Sequence, residues 1–272
     1  MKKTVVGYLT YVTPKNAPSR LGDFHDSLTS LKFLKSDDVE LISVDNSSID
    51  EVKESLRSSN LFSKHFHYKK NHFDVALFYT TMWYARDIGA EYMCILYDDF
   101  IVYDPALKDV TEFLEKNQDT SCVRIPAYDF NDKRKYDADV TSKSTNPDAI
   151  RHYNSVTKKS LVWEGPFSVG NHYFYKNNWH YTSRPCVWRT SFFETVLETQ
   201  GQSSKVLQGF EAWATTQFES FSIKTGVLDK GMIKTTPVSR SARGLEIPPE
   251  KECNILISVD ELYDEYKKIK GA

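Results

Sequence analysis

A mostly parallel α/β sheet flanked by helices on both faces is the fold class the sequence predicts, and three observations predict it. Apolar strand-like runs alternate with helix-spaced segments through the first half of the chain. Two of those runs lead into aspartates, Asp45 and Asp98-Asp99, where a strand would hand over to a loop. The chain has 272 residues, 40% of them hydrophobic, which suits one large domain or two intimately packed halves.

The elements follow in order. Thr4–Val12 reads as a buried strand. Leu21–Leu34 reads as a helix, with Leu21, Phe24, Leu28, Leu31 and Leu34 at helical spacing. Val39–Val44 is a second strand, followed by Asp45-Asn46-Ser47-Ser48. Asp50 or Ser48 caps the next helix, Glu51–Ser58. Phe62–Tyr68 is a short third strand, and Phe73–Ile88 is a helix stopped by Gly89. Tyr92–Leu96 is an apolar strand, Val110–Lys116 a helix and Ser121–Ile125 another strand.

The second half is less regular. Tyr128–Lys159 is polar and charged and reads as a long surface loop. Leu161–Tyr175 alternates aromatic and small residues as a hairpin does. Thr190–Glu198 and Phe210–Ser222 read as helices, Val227–Thr236 as a strand around Gly231, and Asp260–Lys270 as a polar terminal helix. This divides the chain at 1–125, 126–244 and 245–272, within one compact domain overall.

Composition narrows the function. Of the four cysteines, Cys94, Cys122, Cys186 and Cys253, none forms a CxxC pair, which excludes zinc-ribbon and thioredoxin-like chemistry. Cys94 lies in an apolar run and reads as a packed thiol. The apolar stretch at the start is too short for a signal peptide, and no run approaches the ~20 apolar residues that span a bilayer. The expectation is a cytoplasmic protein, with the inner membrane face and a virus-infected host cell as further settings.

Net charge is −2 but unevenly spread. Residues 1–123 carry 14 Lys and Arg against 19 Asp and Glu, whereas residues 124–244 carry 17 against 11. A basic second half points to an anionic ligand or acceptor, although a solvated basic face has the same counts.

In parallel sheets, ligands bind beyond the carboxyl ends of the strands. Asp98 and Asp99 fall at such an end, and adjacent carboxylates repel unless a cation or hydrogen bonds offset the charge. A hard divalent ion shared with substrate phosphates does so; a helix cap or solvated turn is the plain alternative. Asp45, also at a strand end, can accept from ribose or base, or can simply form an Asx turn.

The order Val44-Asp45-Asn46-Ser47-Ser48, then Asn71 opening the helix Phe73–Ile88, then Ile95-Leu96-Tyr97-Asp98-Asp99-Phe100-Ile101-Val102 resembles the nucleotide-sugar half of GT-A glycosyltransferases, especially the large inverting family. The resemblance covers residues 4–125. It implies a GT-A (Rossmann-like) fold with an irregular acceptor-binding second half. It also implies that Thr10, Asp45, Asn71 and Asp98 contact the nucleotide, and that Asp99 with Asp98 holds Mn²⁺ or Mg²⁺ on the diphosphate. A tyrosine, Tyr97, stands where the metal motif usually has its first aspartate, which makes Asp99 the more direct ligand.

Gly209-Phe210-Glu211-Ala212-Trp213 resembles the segment that carries the family's catalytic base, so Glu211 is the candidate, with Glu164 as runner-up and an ordinary helix-start glutamate as the plain alternative. Relatives often add a late histidine to the metal site. No histidine follows His180 here, and Lys234, Arg240 and Arg243 are candidates to neutralise phosphate instead. Residues 171–189 contain no acid and interleave aromatic rings with Lys176, Arg184 and Arg189. Trp179, Arg184, Trp188 and Arg189 in this stretch, with Trp213 beside Glu211, are candidates to bind the acceptor.

The implied partners are a nucleotide diphosphate sugar and a phosphate-bearing or lipid-linked glycan, with hydroxymethylcytosine DNA as the alternative acceptor. A nucleotidyltransferase ranks lower, because no early Gly-rich basic loop is present to grip a triphosphate. A non-catalytic sugar-binding protein follows if Glu211 is structural.

Overall fold

The computed structural model describes residues 3–125, 127–128, 162–178, 185–199, 224–229, 232–235 and 258–271. Four strands form a parallel block in the order β3-β2-β1-β4: β1 (Thr4–Thr10), β2 (Val39–Asn46), β3 (Lys64–Tyr68) and β4 (Tyr92–Tyr97). Strands β1 and β4 are buried along their whole length. Their near-continuous apolar runs suit a sheet covered on both faces.

The helices between them are α1 (Ala17–Ser30), α2 (Asp50–Ser58) and α3 (Phe73–Ile88). Helix α3 lies close against β1 at Gly7, where an added Cβ would stand 2.0 Å from Thr81 Oγ1, so only glycine admits this approach. Gly89 ends α3 in the left-handed conformation at φ 70°, as its position predicts.

Beyond β4 come β5 (Phe100–Val102), α4 (Leu107–Lys116), β6 (Thr120–Arg124) and β7 (Ala127–Tyr128). Then follow β8 (Trp163–Val169), β9 (His172–Asn177), β10 (Cys186–Arg189), α5 (Thr190–Thr199), β11 (Lys224–Leu228), β12 (Ile233–Thr235) and α6 (Val259–Gly271). The large sheet has the order β3-β2-β1-β4-β10-β6-β11-β9-β8, and a small one has the order β5-β12-β7. Strand β10 is antiparallel to both β4 and β6 and lies between them, so the two halves of the chain share one sheet.

Helix α5 packs on α3 through stacked Phe193 and Phe78, 5.6 Å apart. Helix α6 packs on β3 and α3: Tyr266 stacks on Phe66 at 5.3 Å and donates its hydroxyl to Asp87 at 2.5 Å. Cys94, Cys122 and Cys186 are buried free thiols, and burial pushes Cys94 up to about 12.

Several boundaries differ from the sequence expectation. Helix α1 starts four residues before Leu21, because Pro18 serves in its first turn where the apolar spacing gives no signal. The N-cap of α2 is Ile49, without a side-chain hydrogen bond; Asp50 is the first helical residue, and Ser48 is used elsewhere. The stretch Val227–Thr236 is two strands, β11 in the large sheet and β12 in the small one. The expected helix Phe210–Ser222 and nearly all of the expected loop Tyr128–Lys159 lie outside the described residues.

Candidate active site

The parallel register brings Thr10 beside Asp45 and Leu9 beside Tyr97, so β1, β2 and β4 deliver Thr10, Asp45 and Asp98 to one sheet edge. The segment leaving β1 is strapped between the two acidic positions. Tyr11 N donates to Asp98 Oδ2 at 3.2 Å, and Val12 N donates to Ser48 Oγ at 3.0 Å. Ile49 N donates to Val12 O at 2.9 Å, and Asp98 N to Leu9 O at 3.0 Å. Backbone groups that would otherwise be orphaned after β1 are satisfied by Asp98, by the Ser48 hydroxyl and by neighbouring backbone.

Asp45 is fully buried. Its Oδ1 accepts from Thr10 Oγ1 at 3.0 Å and from Ser48 N at 3.1 Å. His67 Nδ1 faces Oδ2 at 3.6 Å, just beyond hydrogen-bond distance. Burial is the largest single influence on this carboxyl and raises it. His67, Ser48 and Thr10 together outweigh burial and hold it below the usual carboxylate range. The Asx-type turn and the strand-end acid are thus the same structure, with Ser47 in the left-handed region at φ 67°. Asn71 precedes His72, the N-cap of α3, and His72 N donates to Asn46 Oδ1 at 3.3 Å, which ties this helix start to the end of β2.

Asp98 and Asp99 follow β4 and are both buried. Asp98 Oδ1 is paired with the guanidinium of Arg20 on α1, while Oδ2 holds Tyr11 N. The charge of the acidic pair is felt nearby: burial first and Asp98 next push the Tyr8 phenol well above its ordinary value. Asp99 directly precedes β5, which pairs antiparallel with β12, setting Thr235 opposite Phe100 and Lys234 opposite Ile101. The carboxyl end of β12 therefore lies beside the amino end of β5, and Lys234 is one residue from it.

Among the described residues no group of three or more His, Cys, Asp and Glu is placed to hold a metal. With Asp98 engaged by Arg20, the donor set is one or two carboxylates. That set fits a hard divalent ion whose remaining ligands are phosphate oxygens and water.

Other expectations are corrected. Trp188 is wholly buried in the core, opposite Met93 and Cys122 and against Phe193, so it offers no surface to an acceptor. Arg189 pairs with Tyr92 at the amino end of β4, six residues or about 20 Å of strand from Asp98. Its guanidinium is spent on the carbonyls of Thr120 (3.0 Å), Asn117 (3.3 Å) and Leu114. Glu164 sits on edge strand β8, five strands or about 24 Å across the sheet from β4. There it pairs with Lys224 and with Lys176 (3.7 Å), which Asp119 also holds, so the runner-up base is a structural charge. Glu211, Trp179, Arg184, Trp213, Arg240 and Arg243 lie outside the described residues.

Two site residues escaped the sequence reading. Arg20 gives no local signal, because its partner is 78 residues away. His67 had one: the alternation Lys64-His65-Phe66-His67-Tyr68 places both histidines on one face of β3, in line with Asp45.

A mixed, mostly parallel sheet with acids strapped at the carboxyl ends of its first strands defines the class: a GT-A-fold glycosyltransferase. Residues 11–197 match Glycosyl transferase family 2, and the chain belongs to that family. No curated protein sequence matches it. Among solved structures, S. aureus TarS (residues 1–349) is similar at TM-score 0.52 and 13% identity, covering 98% of this chain and 71% of that one. The mannosyltransferase PcManGT from Pyrobaculum calidifontis, in complex with GDP-Man and Mn²⁺, is similar at TM-score 0.51 and 11% identity, covering 98% and 70%. A longer TarS chain is spanned over 44% of its length, at TM-score 0.49 and 13% identity, with 99% of this chain covered. No helix among the described residues is long and apolar enough to cross a membrane.

Proposed function

We propose that this glycosyltransferase moves a sugar from a nucleotide diphosphate donor to an acceptor hydroxyl, with a divalent cation and with inversion. The observation that carries the reading is the strapped edge, where a single segment after β1 binds both the Asp45 turn and Asp98. A nucleotide laid across it meets Thr10, Asp45 and Asn71 at one end and Asp98 and Asp99 at the other. GDP-Man with Mn²⁺ in PcManGT is a donor and cation of this class.

Asp99 would hold the cation, with Asp98 positioned by Arg20 beside it. A divalent ion there, Mn²⁺ or Mg²⁺, supplies charge neutralisation to the diphosphate leaving group. Lys234, Arg240 and Arg243 add positive charge from the chain itself. Glu211 takes the proton from the acceptor hydroxyl. Attack opposite the leaving group inverts the anomeric centre.

The acceptor is a phosphate-bearing or lipid-linked glycan. Lys176 and Arg189 are used inside the fold, so this part now rests on Arg184 and on the net charge of residues 124–244. The test is Asp99→Asn, assayed for transfer with a panel of nucleotide sugars in Mn²⁺, Mg²⁺ or EDTA. Transfer should vanish in the variant and in EDTA while the circular dichroism stays native. Full activity in either would remove the central claim.

A further inference from the structure

Strand pairing places three side chains in one lateral row at the carboxyl edge: Thr10 beside Asp45, and Asp45 beside His67. Partners in a parallel pair share a face of the sheet. On β3, Phe66 and Tyr68 turn to the other face, where Phe66 stacks on Tyr266 and the Tyr68 hydroxyl lies 2.5 Å from Thr80 Oγ1. His65 and His67 share the row's face, their rings parallel and 5.8 Å apart. His65 is occupied, its Nδ1 at 2.8 Å from Ser43 Oγ.

His67 is different. Both its ring nitrogens are closed to water, and neither has a hydrogen-bond partner among the described residues. Leaving a buried imidazole nitrogen unmatched is costly, and a ligand that completes it accounts for the arrangement. The Asp45 carboxylate, held in its ionised form, faces Nδ1 at 3.6 Å and favours the tautomer with the proton on that atom. Nε2 is then a bare acceptor. The side chain keeps 21% of its surface open, and contact with a ligand requires the ring to turn so that Nε2 meets it.

We propose that His67 is a specificity-determining residue of the nucleotide site, its Nε2 accepting a hydrogen bond from an N–H on the edge of the donor's base. The inference rests on the donor-site reading above and adds to it a residue that selects among bases.

Two substitutions separate this role from a structural one. His67→Asn places a polar group near Nδ1 and keeps the approach to Asp45 but has nothing at Nε2. His67→Gln reaches Nε2 and gives up Nδ1. Affinities for GDP, UDP, ADP and CDP are measured by calorimetry in Mn²⁺ on wild type and both variants, with melting temperature as the fold control. The preference of wild type for its best base should collapse by roughly tenfold in His67→Asn and persist in His67→Gln, as loss of one base-edge hydrogen bond implies. Preservation of the preference in His67→Asn, or equal wild-type affinity for all four, overturns the inference and leaves the donor site standing. Failure of wild type to bind any of the four overturns the donor-site reading as well.

Discussion

Removing Arg20 is the sharpest probe of how the acidic edge is built. Its guanidinium and the Asp98 carboxylate are 12% and 8% exposed, so neither charge is well solvated. Arg20→Met keeps the aliphatic stem and deletes the charge, leaving Asp98 buried without its cation and with the Tyr11 N–H on its second oxygen. Breaking one side of a buried pair costs about 3–5 kcal/mol, and the residual exposure puts this case near about 3. In a chain of this size each kcal/mol moves the melting temperature by roughly 2–4 °C, so a fall of about 6–12 °C is expected.

Asp98→Asn added to Arg20→Met should return much of that loss, because the neutral amide no longer needs a cation. A double-mutant cycle by urea and thermal denaturation measures the coupling. Additive losses in the cycle, or a melting temperature for Arg20→Met within 2 °C of wild type, would mean that the pair carries no such load.

Asp45 has a folded value below its ordinary one, so its stabilisation is complete above about 3.9 and is lost as pH falls through the folded value. The melting-temperature gap between wild type and Asp45→Asn should therefore hold from pH 7 to 5 and narrow below pH 4; a gap constant to pH 3 contradicts the ionised assignment. Glu211→Gln should lower kcat by roughly 10²-fold or more with donor affinity unchanged. Glu164→Gln should leave kcat near wild type and cost stability only, because Glu164 is held among Lys176 and Lys224; the reverse pattern in steady-state kinetics would exchange their roles. Arg184→Ala should weaken a phosphate-bearing acceptor and flatten the salt dependence of its binding without touching donor affinity; salt-independent acceptor kinetics in wild type would return the basic second half to a solvated face.

The parts of this molecule written in local periodicity were legible. Helix α3 runs over the predicted Phe73–Ile88, because the apolar spacing and the Gly89 stop are both properties of adjacent residues. The positions of Asp45 and Asp98 at strand ends came from the same source, since an apolar run that stops at an acid marks the edge of a sheet. What failed was lateral order. Trp188 and Arg189 sit in an aromatic, basic, acid-free stretch that reads as a ligand surface, yet β10 carries them into the middle of the sheet. No local pattern announces that insertion, because the partners of β10 lie about 65 and 95 residues away. Arg20 was hidden for the same reason, while His67 was within reach of a period-2 reading that compared neighbouring strands as well as single ones.

The insertion of β10 also sets an order of events during synthesis. Strands β4 and β6 cannot be bridged until residues 186–189 have left the ribosome, because the strand between them comes from that later stretch. Until then β4 and β6 each expose an unpaired, apolar edge of the kind that recruits other chains. The nascent first half therefore carries the strands that bear Asp45 and Asp98 and yet cannot hold them in a closed sheet. A chain stopped at residue 125 would leave the edges of β4 and β6 open, a sticky intermediate rather than a miniature of the whole domain.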